Sequence, residues 1–206
     1  MPIKKVGRPA ETEPSTAQRI LDAAQQFAQT RGFNGFSYAD VADALGVTKP
    51  SLHYHFPSKA DLGLALIERY HLAFGQSLAA IDREAQDAPE KLSRYAGLYD
   101  GVMRDNRMCL CGMLAAEYTT LPVAMRSELR RFFDANEEWL AAVLDEGRRA
   151  GELAFLGPTN QRARTVLGTL EGAMLVACAY RDSRRFRSAA KALLTDLSVK
   201  PNSRTP

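Results

Sequence analysis

Phe36-Ser-Tyr-Ala-Asp-Val-Ala-Asp-Ala-Leu-Gly-Val-Thr-Lys-Pro-Ser-Leu-His-Tyr-His-Phe56 is the stretch that decides the fold. It reads as two short helices joined by a sharp turn. Ser37, followed three residues later by Asp40, opens the first helix, and Gly46 stops it after Leu45. Thr48 caps the second, with Pro50 in its first turn, where a missing N–H costs little. Val41, Ala42, Leu45, Val47 and Leu52 fall at core spacing. Ala42 is small where two helices cross closely, and Gly46 supplies the positive φ of the turn. That is the physical requirement of a helix-turn-helix: a rigid angle that projects the second helix into a major groove. An αα corner with a merely polar surface has the same spacing, so the pattern alone leaves both readings open.

The second helix, Thr48 to His55, turns Thr48, Lys49, Ser51, His53 and Tyr54 outward. Short hydroxyls, a cation and flat polar rings suit contacts to phosphates and base edges. Ser37, at the start of the preceding helix, joins this candidate set. Lys59 opens the next helix, where its ammonium and the helix N-terminus would both meet a phosphate. His53 offers either a pH-dependent phosphate contact or a neutral, hydrogen-bonded imidazole.

Outward from this segment the chain is helix after helix. Ser15 or Thr16 caps a helix carrying Ile20, Ala24, Phe27 and Ala28 on one face and ending at Gly32. Ser58 caps a long helix through Leu62, Leu66 and Tyr70 towards Arg83, and Pro89 starts one with Leu92, Tyr95, Tyr99 and Met103 along one side. Leu110 to Tyr118 is short and apolar. A seven-turn helix runs from Met125 to Gly151, and Gly157-Pro158 breaks the chain. Asn160 to Tyr180 is apolar on nearly every side, and Phe186, Ala190, Leu193, Leu194 and Leu197 mark a final amphipathic helix. The expected architecture is all-α with about nine helices. Its divisions are a flexible basic arm (1–14), a helix-turn-helix domain (15–60), a ligand-binding and dimerisation domain (61–197) and a disordered tail (198–206).

From Gln18 to about Tyr70 the sequence closely resembles the DNA-binding domain of TetR/AcrR transcriptional regulators. The matching residues are Ile20-Leu-Asp-Ala-Ala, Phe27, Gly32-Phe, Ser37, Val41-Ala, Gly46-Val-Thr-Lys, Leu52, Tyr54-His-Phe-Pro-Ser-Lys59 and Leu62. The later helices resemble that family in number and length. The resemblance implies a homodimer whose recognition helices read a palindromic double-stranded DNA operator and which a small-molecule inducer releases. Thr48, Lys49, Ser51, His53 and Tyr54 would face the DNA, and Lys59 would hold phosphate. Pro50 and His53 depart from the commonest residues at their positions, which bears on the operator sequence and not on the fold.

Composition agrees with a soluble globular chain. Of 206 residues, 46% are apolar and 25% charged, and the net charge is only +3, so bulk charge does not predict nucleic-acid binding. Placement says more: Lys4, Lys5 and Arg8 crowd the first ten residues, and Gly7-Arg8-Pro9 is suited to a minor groove. No signal-peptide pattern opens the chain, and Val166 to Tyr180, interrupted by Glu171, is too short for a bilayer. Three cysteines fit a reducing compartment, so a cytoplasmic protein without membrane contact is expected.

Tyr95, Tyr99, Met103, Met113, Phe132, Phe133, Leu170 and Met174 are candidates to line an apolar cavity, although such a stripe equally describes plain core. Glu117 and His71 are polar groups placed to orient a ligand. Cys109-Leu-Cys111 is the sharpest chemical feature: Arg104 and Arg107 lie near it in sequence and would lower a thiol pKa, making a redox sensor the alternative to a small-ligand site. Packing as small hydrophobes is the competing reading. Cys178, inside the oiliest helix, reads as inert. A lone C-x-C with three histidines lacks a metal-ligand set, and no nucleophile–base pair or glycine-rich phosphate loop points to an enzyme or a cofactor. Gly168 and Gly172, with Val176 and the leucines at 193, 194 and 197, fit a dimer interface of four helices, the alternative being that this helix is the central core element of one subunit.

Overall fold

The computed structural model describes residues 14–198. The arm and nearly all of the tail expected from the sequence, with Lys4, Lys5 and Arg8, lie outside them. Among the described residues the chain forms nine α-helices and one 3-10 turn, with no strand.

The first unit holds α1 (Thr16–Arg31), α2 (Tyr38–Leu45) and α3 (Lys49–His55). Capping boxes Ser15/Gln18 and Ser37/Asp40 satisfy the first orphan N–H groups of α1 and α2. Gly46 adopts φ 65°, and Val47 N–H closes the turn onto the Ala42 carbonyl at 3.0 Å. Thr48 is the α3 N-cap, but its hydroxyl makes no capping bond, so it stays available. Ile20, Ala24, Val41, Ala42 and Leu52 bury the angle between the three helices. Tyr38 ties the far end of α3 down: its hydroxyl donates to the Phe56 carbonyl at 2.8 Å. Burial, then Asp61, pushes the Tyr38 pKa up to about 12, so the donor is retained over the whole neutral range.

A third box, Ser58/Asp61, starts α4 (Lys59–Glu84), whose 26 residues carry the chain some 39 Å, by ~1.5 Å per residue, into the second unit. There follow α5 (Ala88–Arg104), α6 (Leu110–Ala116), the 3-10 turn Tyr118–Thr120, α7 (Val123–Ala150), α8 (Thr159–Ala179) and α9 (Ser183–Ser198). The α5 cap is Asp87, accepting the Glu90 N–H at 2.8 Å. α8 packs between α7 and α9, while α6 is wedged between α1, α4 and α7.

Two expectations for this half are corrected. Leu193 and Leu197 are buried against their own subunit, so they are not free to meet a partner. α8 instead leaves Leu175, Val176 and Tyr180 half-exposed or more, with open space over Gly168 and Gly172. Cys178, expected inside the apolar helix, is exposed.

Candidate nucleic-acid interface and the face behind it

α3 presents one continuous polar face. Its anchor is Leu52, fully buried, which fixes the rotation of the helix and turns Thr48, Lys49, His53 and Tyr54 out to solvent, with Ser51 at the margin. Tyr54 is 85% exposed, which no packing role requires. Lys49 forms no ion pair with any described residue. His53 is held from both sides: Nδ1–H donates to the Pro57 carbonyl at 3.0 Å, and the Tyr38 ring lies 4.8 Å from the imidazole centroid. A carbonyl only accepts, so Nδ1 carries a proton and Nε2 is the atom left to meet a ligand. Ser37 is also exposed, but its hydroxyl is engaged with the Asp40 carboxylate at 2.6 Å.

Lys59 is not on this surface. Its ammonium donates to the carbonyls of Phe33 and Phe36 and lies over both rings, at 4.7 and 4.5 Å from their centroids. The loop between α1 and α2 leaves these carbonyls without helical partners, and a long cationic side chain from α4 supplies the donors. The expected phosphate contact gives way to a strut inside the domain.

Behind that loop stands the second unit. Glu117, the residue expected to orient a ligand, accepts the Phe33 N–H at 2.8 Å and the Asn34 N–H at 3.2 Å. Gly32 makes room, since a Cβ there would lie 2.6 Å from Glu117 Oε1. Asn34 reaches the Thr120 hydroxyl at 2.8 Å. Buried Gln29 completes the seam: its amide donates to the Met108 carbonyl at 2.8 Å, and Met108 N–H returns a bond to the Gln29 carbonyl at 3.1 Å. Gln29 is not singled out by the sequence, where it falls with Gln25, Gln26 and Thr30 on the polar side of α1. The residues flanking α6 are thus bonded to the end of α1 and to the loop that follows it.

The cavity candidates do not converge. Tyr95, Tyr99, Leu170 and Met174 fill the interior, the two tyrosines bonded to each other at 3.2 Å and Tyr95 to Asn136 at 3.0 Å. Phe132 is buried beside them and Met113 is partly buried against the core. Met103 opens on a groove of about 580 Å³ with Arg104, Arg107, Cys178 and Arg181. Phe133 opens on another, about 510 Å³, between α6, α7 and α8. His71 Nδ1–H donates to Glu128 Oε1 at 2.9 Å, and so serves the packing of α4 on α7.

Cys109 and Cys111 are both buried. Cys109 caps α6, accepting from Gly112 N–H at 3.5 Å, and its own N–H donates to Met174 Sδ at 3.1 Å. Burial raises both thiol pKa values well above the ordinary range, with Glu171 adding to the effect. Arg104 and Arg107 do not offset this: they pair with Asp100 and Asp105. The expected depression of the thiol pKa is therefore overturned by desolvation.

A model of the bacterial regulatory proteins of the tetR family matches residues 20–66, and a tetracyclin repressor-like C-terminal domain matches residues 88–193, more than half of the chain. The chain belongs to the TetR family. A TetR-family regulator from Agrobacterium tumefaciens superimposes with a TM-score of 0.86 at 33% identity, covering 89% of this chain and 97% of that one. A TetR regulator from Legionella pneumophila gives 0.82 at 29%, covering 90% and 99%. Among curated relatives, the transcriptional repressor NemR of Escherichia coli is 28% identical over 88% of this chain and 92% of its own length. The TetR family is one of transcription regulators, not of enzymes, and its DNA-binding helix-turn-helix is the α2–α3 unit described above. Among the described residues no helix of this TetR protein is long and apolar enough to cross a membrane, and no cluster of three or more His, Cys, Asp or Glu side chains is placed to hold a metal.

Proposed function

We propose that this protein is a homodimeric transcriptional repressor that binds a palindromic operator through α3 and releases it when a small molecule occupies the second unit. The observation that carries the reading is the outward face of α3, where Thr48, Lys49, Ser51, His53 and Tyr54 stand on a helix whose rotation Leu52 locks. Two such helices, related by a two-fold axis, read half-sites about one helical turn apart. Val176 and Tyr180 at the end of α8, beside the open Gly172, support a dimer seam, because a monomer gains nothing by leaving them in water.

Release follows from the seam through Glu117 and Gln29. A ligand that favours one seating of α6 favours one placement of the DNA-binding unit, and differential affinity for the two placements is all that allostery requires. The alternative, a redox switch at Cys109 and Cys111, has against it two buried thiols with raised pKa values. The test is fluorescence anisotropy of the purified protein on its own upstream intergenic DNA against scrambled DNA at two salt concentrations. Tight, selective, salt-weakened binding is expected. Equal binding to scrambled DNA at both salts overturns the reading.

A further inference from the structure

The groove between α6, α7 and α8 contains a carboxyl group that meets no cation, with the Cys109 thiol and the Tyr99 hydroxyl facing it from the interior. Glu171 comes from the middle of α8 and lines the groove floor. Its Oε1 is enclosed and has no hydrogen-bond partner, and its other oxygen lies where a side chain on Gly112 would collide with it. No cation of the described residues pairs with it. Arg164, which shares the groove, is already taken by Glu137 at 3.0 Å. The rest of the lining is mainly apolar, with Phe133, Leu167 and Leu175, and its volume of about 510 Å³ accommodates a molecule of drug-like size.

We infer that this groove binds a lipophilic monocation, with its apolar body against Phe133 and Leu175 and its charge against Glu171. The inference rests on the ligand-responsive reading above and names the class of ligand. A carboxylate taken out of water without a partner is disfavoured, and the protein relieves this either by keeping the proton or by acquiring a cation. Glu137 and Arg164 cancel at the rim, so Glu171 decides the sign of the site. A cation gains from the ionised carboxylate, a neutral guest leaves the carboxyl holding its proton, and an anion is repelled by the ionised form. Occupancy also draws Glu171 away from Gly112, on the first turn of α6, which is the helix that leads to Glu117.

The sign is tested at constant shape by titration calorimetry of the full-length protein, in sodium buffer, with tetraphenylphosphonium and its isosteric anion tetraphenylborate. Tetraphenylphosphonium should bind saturably, one per chain, and at least tenfold more tightly than the borate. Glu171→Gln should weaken it at least tenfold without weakening the borate. The double variant Glu137→Gln/Arg164→Gln, which keeps the rim neutral, should not weaken it. Equal affinities, a preference for the anion, no binding of either ion, or a cation affinity indifferent to Glu171→Gln would each overturn the inference. The wild-type comparison stands if the variant fails to fold. Anisotropy on upstream DNA without ligand separates the two proposals: operator binding with no preference between the ions removes the cation site and leaves the regulator. Absence of operator binding removes the regulator while the calorimetry still reports on the groove.

Discussion

Replacing Glu117 by alanine should loosen the DNA-binding unit from the rest of the chain, and the size of the effect follows from the bonds lost. Its carboxylate accepts the part-buried Phe33 N–H at 2.8 Å and the exposed Asn34 N–H at 3.2 Å. Hydrogen bonds to a charged group contribute about 1.5–3 kcal/mol each, and a buried donor left unpaired costs about 1–3 kcal/mol. The Asn34 bond, longer and in contact with water, counts for less. A loss of about 2–4 kcal/mol is therefore expected for Glu117→Ala, and about 1–2 kcal/mol for Glu117→Gln, which keeps an acceptor but not the charge. For a chain of this size each kcal/mol is worth roughly 2–4 °C, so the alanine variant should melt roughly 4–16 °C lower. Because the seam can open without global unfolding, the sharper readout is amide exchange of the segment around residues 27–36. A local loss of ~2 kcal/mol speeds exchange about 30-fold. Exchange within about threefold of wild type, together with an unchanged melting temperature, would refute the claim that Glu117 holds the two units together.

Gly112→Ala should destabilise the chain by about 1–3 kcal/mol, the usual cost of overpacking, because the new Cβ collides with the Glu171 carboxyl; unchanged chemical denaturation would refute the contact. In a Cys178→Ser background, Cys109 and Cys111 should remain unlabelled by a thiol reagent such as dithionitrobenzoate until the chain unfolds, since both are buried with raised pKa values, and fast labelling of either would restore the redox reading. Lys49→Ala should weaken operator binding and lower the slope of log K against log salt by about 1; an unaltered slope would place Lys49 away from phosphate. Burial raises the Glu171 pKa, an effect only partly opposed by the Cys109 thiol and Tyr99 hydroxyl facing it. The native state then holds a proton at pH values where the unfolded chain has lost it, so wild type should gain stability relative to Glu171→Gln as pH falls from 7 towards 4.5. A difference independent of pH would show that Glu171 titrates normally.

The helix-turn-helix was legible because its determinants are local. Ser37 with Asp40, Gly46, and the inward pair Ala42 and Leu52 specify two helices and their angle within twenty residues, and once Leu52 points inward the outward set on α3 follows from helical geometry. Lys59 was misread for the opposite reason. What occupies it is a pair of loop carbonyls at Phe33 and Phe36, more than twenty residues away, whose need for a donor exists only after the chain has folded. The same holds for Glu117, whose partners are more than eighty residues distant. Of the two readings of Cys109 and Cys111, burial agrees with packing as small hydrophobes and overturns the lowered thiol pKa: proximity of Arg104 and Arg107 in sequence carries no information about whether a guanidinium or a wall of apolar atoms faces the sulfur. For Glu171 the signal was present, a single carboxylate in an otherwise apolar run, but it reads as an argument against a membrane span until the groove beside it is seen.

These long-range contacts share one element. α6 has seven residues, about 10 Å of helix by ~1.5 Å per residue, and each of its ends is tied to something different. At its start, Cys109 N–H is bonded to Met174 of α8, and Gly112 abuts the Glu171 carboxyl. At its end, Glu117 grips the Phe33–Asn34 loop, and that loop is braced on its other side by Lys59 at the head of α4. Leu110, Cys111 and Leu114 seal the helix into a core that packs too densely to absorb a displacement by compression. On the proposed reading, a shift imposed at Gly112 is passed along α6 to Glu117. The Lys59 brace passes it on to the domain as a whole, because the loop it holds is continuous with both α1 and α2. On the proposed ligand-responsive reading, a short helix bonded at its start to both α8 and α1, and at its end to the Phe33–Asn34 loop, is the element through which a charge arriving beside α8 would change the placement of α3.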